Sequence, residues 1–189
     1  MRPEWIVVGV VGVVVVVYVV LTFNRFVSLR AYARDAWAGI QVELKRRYEL
    51  IPNLVETVKG YAAHEKDLLA RVIELRNRAL ANTGSPASQS GDEIALESGV
   101  RSVVALAEAY PDLKADRMFR DLHTELVNTE DRIAATRRFY NGNVREMNEL
   151  IGQIPSSLIA GMFGFTTLEY FELEHEREAG PVRVDLKNR

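Results

Sequence analysis

His64 and Glu65 open the pattern His-Glu-x-x-His, in which two histidines one helical turn apart grip zinc and the glutamate serves as base. Leu68 stands where the second histidine belongs, so the zinc-hydrolase reading stops there. Di-iron bundles need paired Glu-x-x-His motifs on facing helices, and this chain has one copy, Glu172 to His175, close to its C-terminus. His123 stands apart from both. Cysteine is absent, which removes disulfides, thiolate metal sites and cysteine nucleophiles together. No Gly-x-Ser-x-Gly elbow, phosphate loop or dinucleotide fingerprint is present. These residues predict a protein that is not an enzyme and that uses neither a metal nor a cofactor.

The remaining polar candidates point to contacts. Glu65 falls on an apolar seam running Leu54, Val58, Tyr61, Glu65, Leu68, Val72, Leu75, Ala79, where a carboxylate either sets helix register or meets a partner's cation. Farther on, Glu130, Arg137 and Asn141 form a polar strip, with Asp131 and Arg138 beside it. That strip reads as a partner-binding face or as an ordinary solvated one. Gly39, Gly60, Gly99 and Gly142 interrupt helical stretches, through close helix approach, mobility or neutral surface placement. The segment Leu158 to Phe165, with Phe163 and Phe165, is apolar enough to plug the open end of a helical core or to touch a membrane.

The elements that position these residues follow from the pattern of apolar side chains. Residues 5–24 carry no formal charge, and a helix of about 20 apolar residues spans a bilayer core of roughly 30 Å. The run is longer than a signal-peptide core, and large residues follow it, so an uncleaved anchor is expected. Arg2 before it is balanced by Glu4, whereas Arg25, Arg30, Arg34, Lys45, Arg46 and Arg47 follow. The positive-inside rule then puts the N-terminus outside and the C-terminal domain in the cytoplasm of a single-pass cell-membrane protein. Helix 1 continues from the anchor to about Leu50 with Phe26, Leu29, Ala33, Ala36, Ile40, Leu44 and Ile51 in register, and Pro52 is expected to break it.

A second helix is expected from about Asn53 to Leu80, then a loop over Asn82 to Asp92. A third runs from about Glu93 to Tyr110 and a long fourth from about Asp116 to Ile151. Steps alternating between three and four residues carry the fourth helix from Phe119 through Tyr140, the period of a coiled coil. The fold class is therefore all-α: a transmembrane helix continuing into an antiparallel bundle of about four long helices, with a short C-terminal helix. By residue number, 1–4 is a flank, 5–24 the anchor, 25–171 the bundle and 172–189 a charged, mobile tail. A chain of 189 residues with 48% hydrophobic and 26% charged residues has a core and a solvated surface, and its net charge of −2 lacks the basic excess of a nucleic-acid binder.

Three blocks carry a family resemblance: AWAGIQVELKRRYELIPNLVETVKGYAAHE over 36–65, LAEAYPDLKADRMF over 106–119, and TEDRIAATRRFYNGNVREMNELIGQIPSSLIAGMFGF over 129–165. The chain resembles the LemA family. It departs at Ile154, where the family commonly has Phe, at Ser157, where it often has Asn, and at Asp116-Arg117-Met118, where it usually has Asn-Glu-Asn. The resemblance implies a helical bundle on a single bacterial-membrane anchor, and no catalytic residue carries over. It also implies an association with envelope stress, with a membrane metalloprotease of the heat-shock type, and in one branch with organelle-membrane remodelling. The function expected is a membrane-anchored scaffold or adaptor acting through protein–protein contacts. Its partners are the lipid bilayer through residues 5–24 and either further copies of itself or another envelope protein. A membrane-shaping or lipid-interacting protein is the alternative.

Overall fold

In a computed structural model of the protein, residues 3–173 are described, and among them there are six α-helices and no strand. They are α1 (Pro3–Lys59), α2 (Lys66–Ala81), α3 (Pro86–Leu106), α4 (Pro111–Ala115), α5 (Arg117–Gly152) and α6 (Ser156–Phe163). A single 3-10 turn, Ala107–Ala109, follows α3. The all-α class expected from the apolar period is the class observed. Of the charged tail expected over 172–189, only Glu172 and Leu173 are described, and Leu173 is buried; His175 and its pairing with Glu172 lie outside the described residues.

Two compact units make up the chain, one of Met1–Val42 with Ile133–Tyr170 and one of Glu43–Arg132 with Phe171–Arg189. In the first, α1 buries Phe26, Leu29, Ala33, Ala36 and Ile40, and α5 buries Ile133, Tyr140, Val144 and Met147. Steps of three and four keep these residues on one stripe of each helix. The two helices run antiparallel, because Arg25 pairs with Glu146 while Trp37 lies against Tyr140 and Gly39 against Thr136. Beyond α6 the chain lies extended on α5: Asn148 exchanges two hydrogen bonds with the Leu168 backbone at 2.8 and 2.9 Å, and the Tyr140 hydroxyl donates to Glu169 O at 2.8 Å. Burial pushes the Tyr140 phenol up to about 12, so it stays a donor.

In the second unit α1 buries Leu44, Ile51, Leu54 and Val58. Pro52 does not break it. Proline has no amide hydrogen to give to the carbonyl four residues back, and that orphan is Tyr48 O. Arg76 Nε of α2 donates to this oxygen at 3.0 Å, so α1 runs on to Lys59. The break comes instead at Gly60–Glu65, and α2 begins at Lys66.

The expected loop over Asn82–Asp92 is also shorter. Ser85 caps α3 by accepting from Ser88 N, Pro86 occupies the first turn, and Ser88 to Asp92 are helical. Asn82 fastens the junction by donating to Asp92 Oδ2 at 2.6 Å. Asp116 caps α5 in the same manner, accepting from Phe119 N at 2.9 Å. That amide, with the Tyr61 hydroxyl, holds the Asp116 carboxyl below the usual carboxylate range.

The interior glycines divide by their surroundings. A Cβ at Gly99 would lie 3.1 Å from Leu75 Cδ1 and 3.2 Å from Val72 Cγ2, whereas one at Gly142 would meet nothing within 4 Å. We expect Gly142→Ala to stabilise the fold by about 0.5–1 kcal/mol through helix entropy alone. Gly99→Ala should gain nothing, because crowding offsets the propensity term. Equal gains for the two in thermal melts of the full chain would contradict the close packing of α3 on α2.

Candidate functional site

Arg47 sits at a seam position of α1, three residues after Leu44 and four before Ile51, and only 1% of its side chain is exposed. A guanidinium cannot be buried there unless its charge is met. Glu93 of α3 meets it at 2.8 Å from Nη1, and Glu130 of α5 accepts from Nη2. The Tyr48 hydroxyl donates to the other Glu93 oxygen. Three helices are thus fastened at one point, with one cation facing two carboxylates.

Burial raises the Glu93 carboxyl above its usual range, with Arg47 and Tyr48 pulling the other way. Glu130 is raised too, chiefly by burial. Tyr48 is pushed far up by burial and by the Glu93 charge, which keeps its proton on the donor side of the bond. The folded state therefore holds the carboxyl protons more tightly than the unfolded chain. Stability from this source is fully present below the unfolded Glu value and is lost as pH rises through the raised folded value. We expect Glu93→Gln to remove the Glu93 share of that slope, so urea midpoints of wild type and variant should diverge as pH rises above the ordinary Glu value of 4.5. Parallel curves would refute it.

Only 1% of the Glu93 side chain is exposed, too little for a dissolved substrate to reach, so it fastens helices. Glu130 differs. Its side chain is 37% exposed, and it borders an open groove of about 420 Å³ between α3 and α5. Val100, Val104, Leu126 and Val127 floor the groove, while Glu97, Glu108 and Glu130 rim it. Arg101 answers Glu97 at 2.6 Å, and the His123 ring, also in the lining, stacks on Phe119. Apolar floor and acidic rim together suit an amphipathic segment bearing a basic side chain. Among the described residues no group of three or more His, Asp or Glu is placed to hold a metal ion.

A family model for the LemA family matches residues 36–186. The chain belongs to the LemA family. Among curated relatives, magnetosome protein MamQ of Magnetospirillum gryphiswaldense is 24% identical over 87% of this chain and 68% of its own length. Magnetosome protein MamQ 2 of Paramagnetospirillum magneticum is 25% identical over 94% of this chain and 74% of its own. Protein LemA of Metamycoplasma hominis is 24% identical over 82% and 71%. Family membership, together with an N-terminal helix long and apolar enough to cross a membrane, points to a membrane-associated helical protein.

Within the LemA-like blocks, Arg47 and Tyr48 belong to 36–65 and Glu130 to 129–165, while Glu93 lies between blocks. Of the residues singled out from sequence, Glu130 alone enters this charge cluster. Glu65 is not on a helix seam: it precedes α2 in the turn that ends α1, half-buried, and its side chain makes no capping bond. Tyr61, read on the same seam, is exposed and donates to Asp116 at 2.9 Å. Arg137 and Asn141 are half-buried on α5, and Arg138 is exposed. Phe165 stacks on Phe26 with ring centroids 4.7 Å apart, and Phe163 lies 4.8 Å from Phe23.

Arg47, counted from sequence only among the cations that follow the span, is buried in this pair, and its partner Glu93 was missed, although a signal existed. The seam Ile40, Leu44, Ile51 leaves an empty slot at 47, and Glu93 stands three residues before Leu96 on the α3 stripe. An opposite pair of charges filling two vacant core positions is the pattern of a buried ion pair.

Proposed function

We propose that this LemA-family protein is a single-pass membrane adaptor that docks a segment of another envelope protein and catalyses no reaction. The α3–α5 groove carries the reading, because it offers a partly exposed apolar floor, open at Val127, beside carboxylates. Its occupant would be an amphipathic helix whose apolar face covers Val104 and Val127 and whose Lys or Arg meets Glu108. The anchor is supported by the N-terminal part of α1, where Val7, Val8, Val10, Val11 and Val13 to Val17 are each at least 50% exposed. So long an uncovered valine surface is unfavourable in water and suited to lipid. Arg25, Arg30 and Arg34 after the span favour a cytoplasmic helical domain. The family resemblance makes a membrane protease engaged in envelope stress the first partner to test.

The test is photo-crosslinking in cells expressing the full chain with benzoylphenylalanine at Val127, or at the exposed Arg138 as a control site. A distinct partner should be trapped from Val127 and lost when Glu108→Lys reverses the rim charge. No product, or products only with further copies of this chain, would overturn the adaptor reading.

A further inference from the structure

α6 is half covered. Ile159 and Ala160 are buried with Phe26, Leu29 and Met147, so one face closes the core of its unit. The opposite face is apolar and open: Leu158 is 67% exposed and Met162 78%, and Ile154 just before the helix is 86% exposed. Leu158 and Met162, four residues apart within α6, share one stripe of the helix. No formally charged residue occurs from Leu150 to Leu168. Plugging a core explains the first face and leaves the second without a role.

The position of this face along α1 supplies one. Phe163 and Phe165 pack on Phe23, with centroids 4.8 and 5.8 Å away, and Val19 packs on the same core. These α1 residues belong to the last turns of the uncharged run 5–24, which needs about its whole length to cross roughly 30 Å of hydrocarbon. α1 is continuous through this region, so α6 is held beside the point where the span leaves the bilayer. Arg25, the first charge after the run on α1, pairs with Glu146 of α5.

We infer that α6 is an interfacial helix, seated in the leaflet from which α1 emerges, with Ile154, Leu158 and Met162 inserted among the upper acyl chains. It acts as a second membrane contact that fixes the tilt of the domain against the surface. The inference rests on α1 crossing the bilayer, and the occupant is lipid. A short helix with this much apolar exposure is favoured at the boundary of headgroups and chains, where its backbone stays internally bonded.

The chain contains no cysteine, so single-cysteine variants can be labelled uniquely. Full-length Val14→Cys, Leu158→Cys, Met162→Cys and Arg138→Cys would carry an NBD fluorophore in phosphatidylglycerol–phosphatidylcholine nanodiscs. Lipids with a nitroxide high or deep on the chain then report depth. Labels at 158 and 162 should be quenched several-fold more by the shallow nitroxide than by the deep one, the label at 14 by the deep one, and the label at 138 by neither. Quenching at 14 without quenching at 158 and 162 overturns the interfacial helix and leaves the anchor standing. Absence of quenching at 14 removes the anchor, and the inference with it. Labels at 158 that escape lipid nitroxide but self-quench as copies per disc increase would mean that a second copy covers the face, which also overturns it.

Discussion

Arg47→Met should destabilise the protein by about 3–5 kcal/mol, because it strands the buried Glu93 carboxylate without its counter-charge. Size does not drive this effect, since methionine fills most of the same slot between Leu44 and Ile51. The cost is electrostatic, and a companion variant shows it: Arg47→Met combined with Glu93→Met should recover part of the loss by removing both charges at once. Recovery stays partial because the Tyr48 hydroxyl loses its acceptor, worth about 1–3 kcal/mol for a buried donor left unmet. Glu130 can turn to the groove, where water reaches it. Urea unfolding in detergent of Arg47→Met, Glu93→Met and the double variant closes the cycle, and the signature is strong non-additivity. Additive effects, or a single variant costing less than about 1 kcal/mol, would show that the cluster does not fasten the helices.

Phe26→Ala should cost about 3–5 kcal/mol, the range for a fully buried phenylalanine whose cavity closes poorly. Phe26 is 0% exposed and underlies Leu29, Met147, Ile159 and Ala160, and Phe165 stacks on its ring. Removing it takes away the surface on which the inner face of α6 rests. The loss should therefore be accompanied by faster hydrogen exchange at α6 and at the backbone around Leu168, while α2 and α3 keep their protection. Phe26→Leu should restore most of the stability and the protection. Uniform loss of protection across α2, α3 and α6 would contradict a local hold on α6.

How much of this was legible beforehand depended on the distance over which each feature is encoded. Of the α5 stripe Phe119, Leu122, Leu126, Thr129, Ile133, Thr136 and Tyr140, all but the half-buried Leu122 and Thr136 are buried, because residues three and four apart share a face whatever packs on it. α5 starts at Arg117, one residue from the expected start at Asp116, which caps it in the structure. Pro52 misled, because its usual effect assumes that no outside donor reaches the freed carbonyl. Arg76, 28 residues away, supplies that donor. Serine richness after Asn82 misled similarly, since Ser85-Pro86 starts a helix within what reads as loop composition.

Sequence by itself determined the helical class, the uncharged run 5–24, the seams of α1 and α5 and the family, because each is written in neighbouring residues. Only the tertiary structure decided that Arg47 reaches Glu93, 46 residues on, and Glu130, 83 residues on. It also decided which side of α6 closes a core and which side is left open. The reason is physical: a helix's apolar stripe is set by its own periodicity, whereas the partner of a buried charge depends on which helices come together around it.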